Sequence, residues 1–445
     1  MVAFVTITPI CVFMHIYDNN KFYNFILRYM FKTISSAYSE VSIEGRENIP
    51  TDGAVLFAPN HTNALMDALS VLLISQKPTV FVARADMFKN KTLAKILNFF
   101  KIMPIMRIRD GRENMKKNDE IIAVAAKVLE HKVPFCIFCE GTHRMKHSML
   151  PIVKGICRIA VEAENELNGK MPLYIVPVGI EYGSYVKYCS TLSLNVGKAI
   201  NVSEFIQNHK EDSYPKLLVE LKELLAPKIA ELIHYVDDNE NYDALLDLSY
   251  LRNSTYLNAL NLNSSPYNVM VANRKFIDEF HNIEKKSTSK AEHILQLGRE
   301  LASLRKEAKI ADESLLNPAS VVNTISCIIV LIVFLPYFLY SIIISSPIIL
   351  ISQFIISKND DKAFNNSIRY ALSMLVTPII LILLAIILLC ITKWYLAILL
   401  LLISVPVFSF THKYVRLVRI VISDIKYRSN KKIKNLVKSI NDYLK

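Results

Sequence analysis

The chain has 445 residues, 52% of them hydrophobic, and a formal net charge of +12. Its seven cysteines are odd in number and scattered, which argues against a disulfide framework and indicates buried thiols in a reducing compartment. Cys136 and Cys139 form a CxxC, but no second pair accompanies it and the surrounding residues are typical of a strand. We therefore expect neither a zinc site nor a redox site there.

The N-terminal segment, residues 1–35, opens with the apolar stretch Val2 to Met14. No cationic region precedes this stretch, so it does not resemble a signal peptide, and it is too short to predict a membrane span. It fits an interfacial anchor and a hydrophobic packing segment equally well.

Residues 36–202 alternate short apolar runs with helical patterns, which predicts an α/β domain with a mixed sheet flanked by helices. The predicted strands are Val41–Ile43, Val55–Ala58, Val80–Ala83, Ile102–Met106, Pro134–Phe138, Tyr174–Ile180 and Leu192–Val196. The predicted helices are Asn63–Gln76, Lys91–Lys101, Arg112–His131 and Gly155–Leu167.

Residues 203–318 are charged and follow a helical pattern, which predicts a helical accessory region. Ile294, Leu297, Leu301 and Leu304 recur at three- to four-residue spacing and form an apolar stripe. The stripe suits packing against the α/β domain or contact with a membrane, and packing is the favoured interpretation.

Residues 319–410 hold two apolar blocks. Val321 to Ser357 has no charged residue, and Ala371 to Phe410 has only Lys393. Because about 20 apolar residues span a bilayer, the chain is predicted to be an integral membrane protein.

Prolines and polar residues divide these blocks. Pro336 and Pro347 are predicted to interrupt the first block, giving a re-entrant segment or a tight two-pass hairpin. Ala371–Ile391 and Tyr395–Phe410 are predicted to form a second hairpin, with Trp394 at the membrane interface.

The tail, residues 411–445, carries ten Lys and Arg against Asp424 and Asp442, which is two thirds of the net charge of the chain. A basic segment directly after an apolar span is typical of cytoplasmic sequence that faces anionic lipid. Its place beside the membrane argues against a nucleic-acid partner. A cytoplasmic α/β domain and a cytoplasmic tail together require an even number of crossings, with four passes or two passes plus a re-entrant pair both open.

The most informative stretch for chemistry is Asn60 to Asp67, directly after the apolar run Ala54–Ala58. A carboxylate near His61 can fix its tautomer and favour its protonated form, which suits a general base. Positions six apart do not share a helix face, so His61 is predicted to lie in the loop before a helix that carries Asp67. Asn60 is expected to support that loop.

Three further clusters follow in order. The first is a strand that runs from Pro104 into Arg107, whose guanidinium fork matches phosphate oxygens. In the second, Gly141 allows close approach of a ligand, Glu140 can accept hydrogen bonds from polyol hydroxyls, and Thr142 and Arg144 can bind phosphate or hydroxyl. The third, Ile175 to Ile180 around Pro177, is mostly core.

The ordered series resembles the PlsC-type membrane glycerolipid acyltransferases over about residues 36–200. His61 and Asp67 match the first of the four family blocks, Pro104 to Arg107 the second, Glu140 to Thr142 the third, and Val176 to Val178 the fourth. Five residues separate His61 from Asp67, whereas most members have four. This gap resembles the branch with fungal glycerol-3-phosphate/dihydroxyacetone-phosphate acyltransferases.

The third block departs from the family pattern, which usually reads Phe-Pro-Glu-Gly-Thr-Arg. Cys139 replaces the proline and His143 the arginine, so that Arg144 stands one position late. The resemblance therefore supports a phosphate-binding role more firmly for Arg107 than for Arg144.

The resemblance implies that His61 deprotonates an acceptor hydroxyl as it attacks an acyl thioester, oriented by Asp67, without a metal or another cofactor. The implied partners are the membrane, an acyl-CoA or acyl carrier protein donor, and a glycerol phosphate acceptor. Glycerol-3-phosphate is the favoured acceptor, with its 1-acyl derivative as runner-up. Lysophospholipid remodelling is more distant, and Asp67 argues against lipid A acylation. An inactive lipid-binding scaffold is the alternative from another class.

Overall fold

The computed structural model describes residues 16–18, 20–106 and 117–444, with the side chains of residues 117, 118 and 120 excluded. Clustering of the chain gives two compact units. The first comprises Met1–Ile34, Ile43–Ile180 and Ser193–Ile233, and the second comprises Ser35–Ser42, Glu181–Leu192 and His234–Lys445. The stretch Val2 to Met14 lies outside the described residues, so its role as anchor or packing segment stays a prediction.

An eight-stranded sheet forms the framework of the α/β domain. The strands are β1 (Glu40–Glu44), β2 (Ala54–Pro59), β3 (Val80–Arg84), β4 (Ile102–Ile105), β5 (Phe135–Cys136), β6 (Leu173–Tyr182), β7 (Thr191–Val196) and β8 (Ile200–Asn201). Their order is β1-β7-β6-β2-β5-β3-β4, with β8 paired to β6. The sheet is mixed, as predicted, since β8 is antiparallel to β6 whereas β2 is parallel to both β5 and β6.

Seven helices of the first unit accompany this sheet. They are α1 (Lys21–Ile34), α2 (Leu65–Ser75), α3 (Lys91–Phe99), α4 (Lys117–Glu130), α5 (Gly155–Leu167), α6 (Val202–Asn208) and α7 (Tyr214–Ala230). Leu129 of α4 and Ile156 and Ile159 of α5 share one buried apolar cluster with Leu56 of β2. All six residues of β2 are buried, as expected of a parallel strand covered on both faces.

The predicted elements recur with small changes at their ends. The helix Gly155–Leu167 has the predicted bounds, and β8 is an additional two-residue strand. The predicted strand Pro134–Phe138 is reduced to two residues. Its backbone nevertheless stays beside β2, because Ile137 N–H donates to Phe57 C=O and Cys139 N–H to Pro59 C=O.

The described part of the second unit contains nine helices. They are α8 (Tyr242–Ala259), α9 (Pro266–Lys286), α10 (Thr288–Ala308), α11 (Asp312–Leu316), α12 (Val321–Ser357), α13 (Asn365–Ile391), α14 (Trp394–Ser404), α15 (Val407–Ser429) and α16 (Lys431–Tyr443). The apolar stripe on α10 is packed, with Ile294 and Leu301 buried and Leu297 and Leu304 against the same cluster, but this cluster is not the α/β domain that was the predicted partner. Its partners belong to the same unit, and include Leu248 of α8.

One prediction about the apolar region is wrong. Pro336 and Pro347 do not interrupt the first block, because α12 continues from Val321 to Ser357. Backbone groups among apolar surroundings must find partners within the segment, so an unbroken helix satisfies more of them than an open turn. At about 1.5 Å per residue, α12 exceeds the ~30 Å thickness of a bilayer core.

Two helical segments, Val321–Ser357 and Lys362–Ile391, are long and apolar enough to cross a membrane. A third candidate is the pair α14 and α15, which is bent by 46°. Only Thr392 and Lys393 separate α13 from α14, where the second hairpin turn was predicted. The number of crossings and their direction remain predictions.

Substitution of Gly179 tests how closely β6 packs against the backbone at Leu232. A Cβ atom at Gly179 would lie 2.2 Å from the carbonyl oxygen of Leu232, and backbone cannot move aside cheaply. We expect Gly179→Ala to lower the free energy of unfolding by about 1–3 kcal/mol. Gly155→Ala is the matched control, since its Cβ would meet nothing within 4 Å and alanine favours the helix. Thermal unfolding of the purified full chain in detergent measures both, and an unchanged Tm for Gly179→Ala would contradict this packing.

Candidate active site

The site begins where β2 ends. Asn60 is buried, and its side chain extends the pairing of β2 with β6: Oδ1 accepts the N–H of Ile180 at 2.7 Å, and Nδ2 donates to the C=O of Ile180 at 3.0 Å. The loop that starts at His61 is therefore anchored to the sheet. Pro177 is buried in β6 opposite Ala58, so the described contacts give it a place in the core.

His61 and Asp67 come together as predicted. His61 lies in the loop before α2, and Asp67 is the third residue of that helix. The two side chains meet with Nδ1 of His61 2.8 Å from Oδ2 of Asp67. Asp67 is fully buried, whereas 16% of the His61 side chain is exposed. Nε2 of His61 forms no hydrogen bond with any residue that the structure describes.

The five-residue gap is absorbed in the turn between the two side chains. Oδ2 of Asp67 also accepts the backbone N–H groups of Thr62 and Asn63, at 2.8 Å and 2.7 Å. Ala64 then adopts φ 47° and ψ −123°, a conformation that costs a non-glycine residue about 1–3 kcal/mol. The bonds to Asp67 offset this cost and keep the turn closed.

Sequence reasoning did not foresee the surroundings of the imidazole. Phe138 stacks on it with ring centroids 4.2 Å apart, and His143 meets it edge-on at 5.3 Å. The side-chain amide of Asn63 is buried beside the pair with neither polar atom hydrogen-bonded among the described residues. Strain and unmet hydrogen bonds thus concentrate between His61 and Asp67, as they do at many functional sites.

Glu140 is tied to backbone rather than turned toward solvent. Only 4% of it is exposed, and Oε1 accepts the N–H of His61 at 2.7 Å while Oε2 accepts the N–H of Leu150 at 2.7 Å. Burial raises the pKa of Glu140 to about 7, because the loss of solvent outweighs these two donors. This geometry positions His61, and the hydrogen bonds predicted between Glu140 and a polyol remain a prediction.

The loop after Glu140 lies against the same histidine. Gly141 has φ +67°, the left-handed conformation that glycine adopts without strain, and Thr142 is exposed. Arg144 N–H donates to the C=O of His61 at 3.1 Å, and Arg144 Nη2 donates to Ser148 Oγ at 2.7 Å. The structure brings these predicted substrate-binding residues to the dyad without testing that role.

Arg107 lies outside the described residues. The chain leading to it is described as far as Met106, and β4 is parallel to β3 in the same sheet. Because β4 and β2 belong to the parallel part of the sheet, their carboxyl ends share one edge, which is where ligands bind in open α/β sheets. The phosphate-binding role of Arg107 stays a prediction.

The cysteines of the CxxC are fully buried and free, and burial raises the pKa of both thiols well above the usual value. They behave as small core residues. Elsewhere in the unit, ligand atoms of His209, Asp212 and Glu220 lie within 4.8 Å of one another. Lys216 lies 2.5 Å from Asp212 and 3.5 Å from Glu220, so this cluster is an ion-pair network that includes its own cation.

Three comparisons bear on this arrangement. A family model described as Acyltransferase matches residues 40–181. Among solved structures, the chain is similar to the 1-acyl-sn-glycerophosphate acyltransferase PlsC from Thermotoga maritima, with 20% identity over 50% of this chain and 87% of that chain. The TM-score of 0.35 is too low for this likeness to carry an argument. No curated protein matches the chain.

The matched range begins at β1, ends in β6, and contains both members of the dyad together with Glu140 and the loop that follows it. The mixed sheet and its helices agree with the fold expected from the sequence. Residues 40–181 of this chain are thus a domain of the acyltransferase family.

Proposed function

We propose that this chain is a membrane-bound O-acyltransferase of phosphatidic acid synthesis that transfers an acyl group from acyl-CoA or acyl carrier protein to a hydroxyl of glycerol-3-phosphate. One observation carries most of the weight. Nδ1 of His61 is 2.8 Å from the buried carboxylate of Asp67, while the ring is partly exposed. With Nδ1–H donated to Asp67, Nε2 is the atom that accepts a proton from the substrate.

The reaction uses the acceptor hydroxyl as nucleophile. Nε2 of His61 takes the hydroxyl proton as the oxygen attacks the thioester carbonyl, and the negative charge of Asp67 stabilises the imidazolium that forms. The attack forms the ester C–O bond, and collapse of the tetrahedral intermediate restores the carbonyl and breaks the C–S bond. The imidazolium then returns its proton to the thiolate that leaves.

Positioning supports this chemistry. The Glu140 carboxylate accepts the backbone N–H of His61 and so holds its backbone, and Phe138 limits rotation of the imidazole by stacking on one face. A general base acts only if it stays within hydrogen-bond reach of the proton that it removes. In this proposal Arg107, Thr142 and Arg144 hold the phosphate and hydroxyls of the acceptor.

The apolar helices suit the same proposal. The donor carries an acyl chain and the product stays in the bilayer, so attachment to a membrane keeps the enzyme where its product accumulates. The basic tail supports a cytoplasmic location for both the acyltransferase domain and the tail. The five-residue gap favours glycerol-3-phosphate as acceptor, through the family branch that it resembles.

Removal of the dyad tests the mechanism. We expect His61→Ala and Asp67→Asn each to lower kcat by about 10²–10⁴-fold, because one removes the base and the other its orientation and charge. Acyl transfer to glycerol-3-phosphate by the reconstituted full chain is the measurement. His131→Ala, an exposed histidine at the end of α4, is the matched control and should keep full activity. Equal activity in wild type and His61→Ala would overturn the proposed base.

Parallel acceptors test the substrate. The full chain in lipid nanodiscs receives glycerol-3-phosphate or its 1-acyl derivative, each with an acyl-CoA and an acyl carrier protein donor. We expect kcat/KM for glycerol-3-phosphate to exceed that for the 1-acyl derivative by at least about tenfold, a difference of ~1.4 kcal/mol in transition-state binding. The reverse order would assign the chain to the next step of the pathway. Transfer to neither acceptor, in protein that is folded, would favour the inactive scaffold.

The pKa of Glu140 predicts that kcat/KM depends on pH through this group, and comparison of the wild type with Glu140→Gln isolates that dependence. Above a pH of about 7 the carboxylate accepts both N–H bonds, and below it the protonated group loses one of them. In Glu140→Gln the side-chain amide has one oxygen and accepts only one of the two N–H bonds at any pH. The ratio of wild-type to Glu140→Gln kcat/KM should therefore rise about tenfold between pH 6 and pH 8, since an unmet buried bond costs ~1–3 kcal/mol.

The contribution of Glu140 to the free energy of unfolding changes with pH in the opposite direction. The native state binds the Glu140 proton more tightly than the unfolded state, whose glutamate pKa is about 4.5. The free energy of unfolding that Glu140 contributes should therefore fall as pH rises from about 4.5 to about 7. Thermal unfolding of wild type relative to Glu140→Gln checks this trend, and a pH-independent difference would contradict the raised pKa.

A further inference from the structure

The last helix of the chain divides its residues sharply between two faces. Ile433, Leu436 and Ile440 of α16 are buried, whereas Lys431, Lys432, Lys434 and Lys438 are exposed. An amphipathic basic helix of this kind commonly lies in a membrane interface with its apolar face inserted among lipids. In this protein that face has another partner.

The apolar face of α16 is used inside the second unit. Ile433 and Ile440 belong to the same buried cluster as Leu295 of α10. Arg252 of α8 donates to Asn441 at 2.9 Å, and the ring of Tyr443 lies under Lys290 at 5.8 Å. These contacts set the rotation of α16, so its lysines point away from the unit.

The exposed lysines carry uncompensated charge. None of the four forms an ion pair with a carboxylate in the part of the chain that the structure describes. The only acidic residue in α16 is Asp442, at the far end of the helix. Lys426, exposed near the end of α15, is a fifth positive charge close to α16 along the chain.

The apolar surface of the candidate membrane helices reaches the start of this face. Ile422 and Ile425 are exposed on the last part of α15. Near the end of α15, Arg428 donates to the C=O of Ser320 at 2.7 Å. Ser320 directly precedes the exposed Val321, the first residue of α12. Lys431 follows Arg428 by three residues, so the lysines of α16 begin next to this apolar end of α12 and α15.

We propose that the lysine face of α16 (Lys431, Lys432, Lys434 and Lys438), together with Lys426 of α15, binds the anionic phospholipid headgroups of the bilayer that holds the apolar helices. The binding is electrostatic and involves no insertion, because the apolar side chains of α16 are already buried in protein. It fixes the helical unit against the membrane surface independently of the catalytic proposal. Compact lysine charges beside an apolar belt match a headgroup layer better than a nucleic-acid groove.

Lysine reactivity tests this surface without a variant. The full chain is placed in phosphatidylcholine nanodiscs, with or without about 30% phosphatidylglycerol, and acetylation rates of individual lysines are followed by mass spectrometry. We expect the α16 lysines to react about fivefold more slowly in the anionic discs at low salt. In about 1 M salt, where the Debye length is ~3 Å, the difference should vanish. Lys285 and Lys286, exposed at the end of α9, serve as internal controls and should react equally in both discs.

A pair of variants sharpens the test. Neutralising three lysines (Lys432→Gln, Lys434→Gln and Lys438→Gln) should abolish the protection that remains at Lys431, whereas Lys285→Gln with Lys286→Gln should leave it intact. Equal rates in the two discs at low salt would overturn the proposal. Protection that persists in high salt would also overturn it, since it would indicate insertion. Protection by an added oligonucleotide, without protection by anionic lipid, would assign the surface to nucleic acid.

Discussion

The position of His61 depends on one set of hydrogen bonds to the residues that follow β5. Its N–H donates to the buried carboxylate of Glu140, and its C=O accepts from Arg144. With the backbone held on both sides, the imidazole reaches Asp67 at 2.8 Å. Glu140 meets this requirement at an electrostatic cost, because burial raises its pKa to about 7.

The second unit combines helices that suit an apolar surrounding with helices that suit water. Helices α12 to α14 expose apolar side chains along their length, whereas α8 to α10 form a helical cluster with its own core. Helix α16 belongs to that cluster through its apolar face and offers lysines on the other. A strongly amphipathic helix is therefore no evidence of insertion once its apolar face is covered by protein.

Local patterns were sufficient for most elements of the α/β domain. Three- to seven-residue apolar runs predicted the strands, because a strand covered on both faces needs an unbroken apolar sequence. The strand at Pro134–Phe138 is shorter than predicted, since its later residues turn toward the site while keeping single bonds to β2. For α12 the prediction gave a break at the prolines where the helix in fact continues. A helix among apolar neighbours tolerates a missing hydrogen bond that would end a helix in water.

For the site, the sequence by itself determined the ordered blocks, the loop position of His61, the helical position of Asp67, and the presence of long apolar segments. These follow from residue type and spacing along the chain. Only the tertiary structure decided that Glu140 binds two backbone amides, that Phe138 stacks on the imidazole, and that α16 packs inward. Each of these depends on which distant segments meet and exclude water, and neither composition nor periodicity encodes such a meeting.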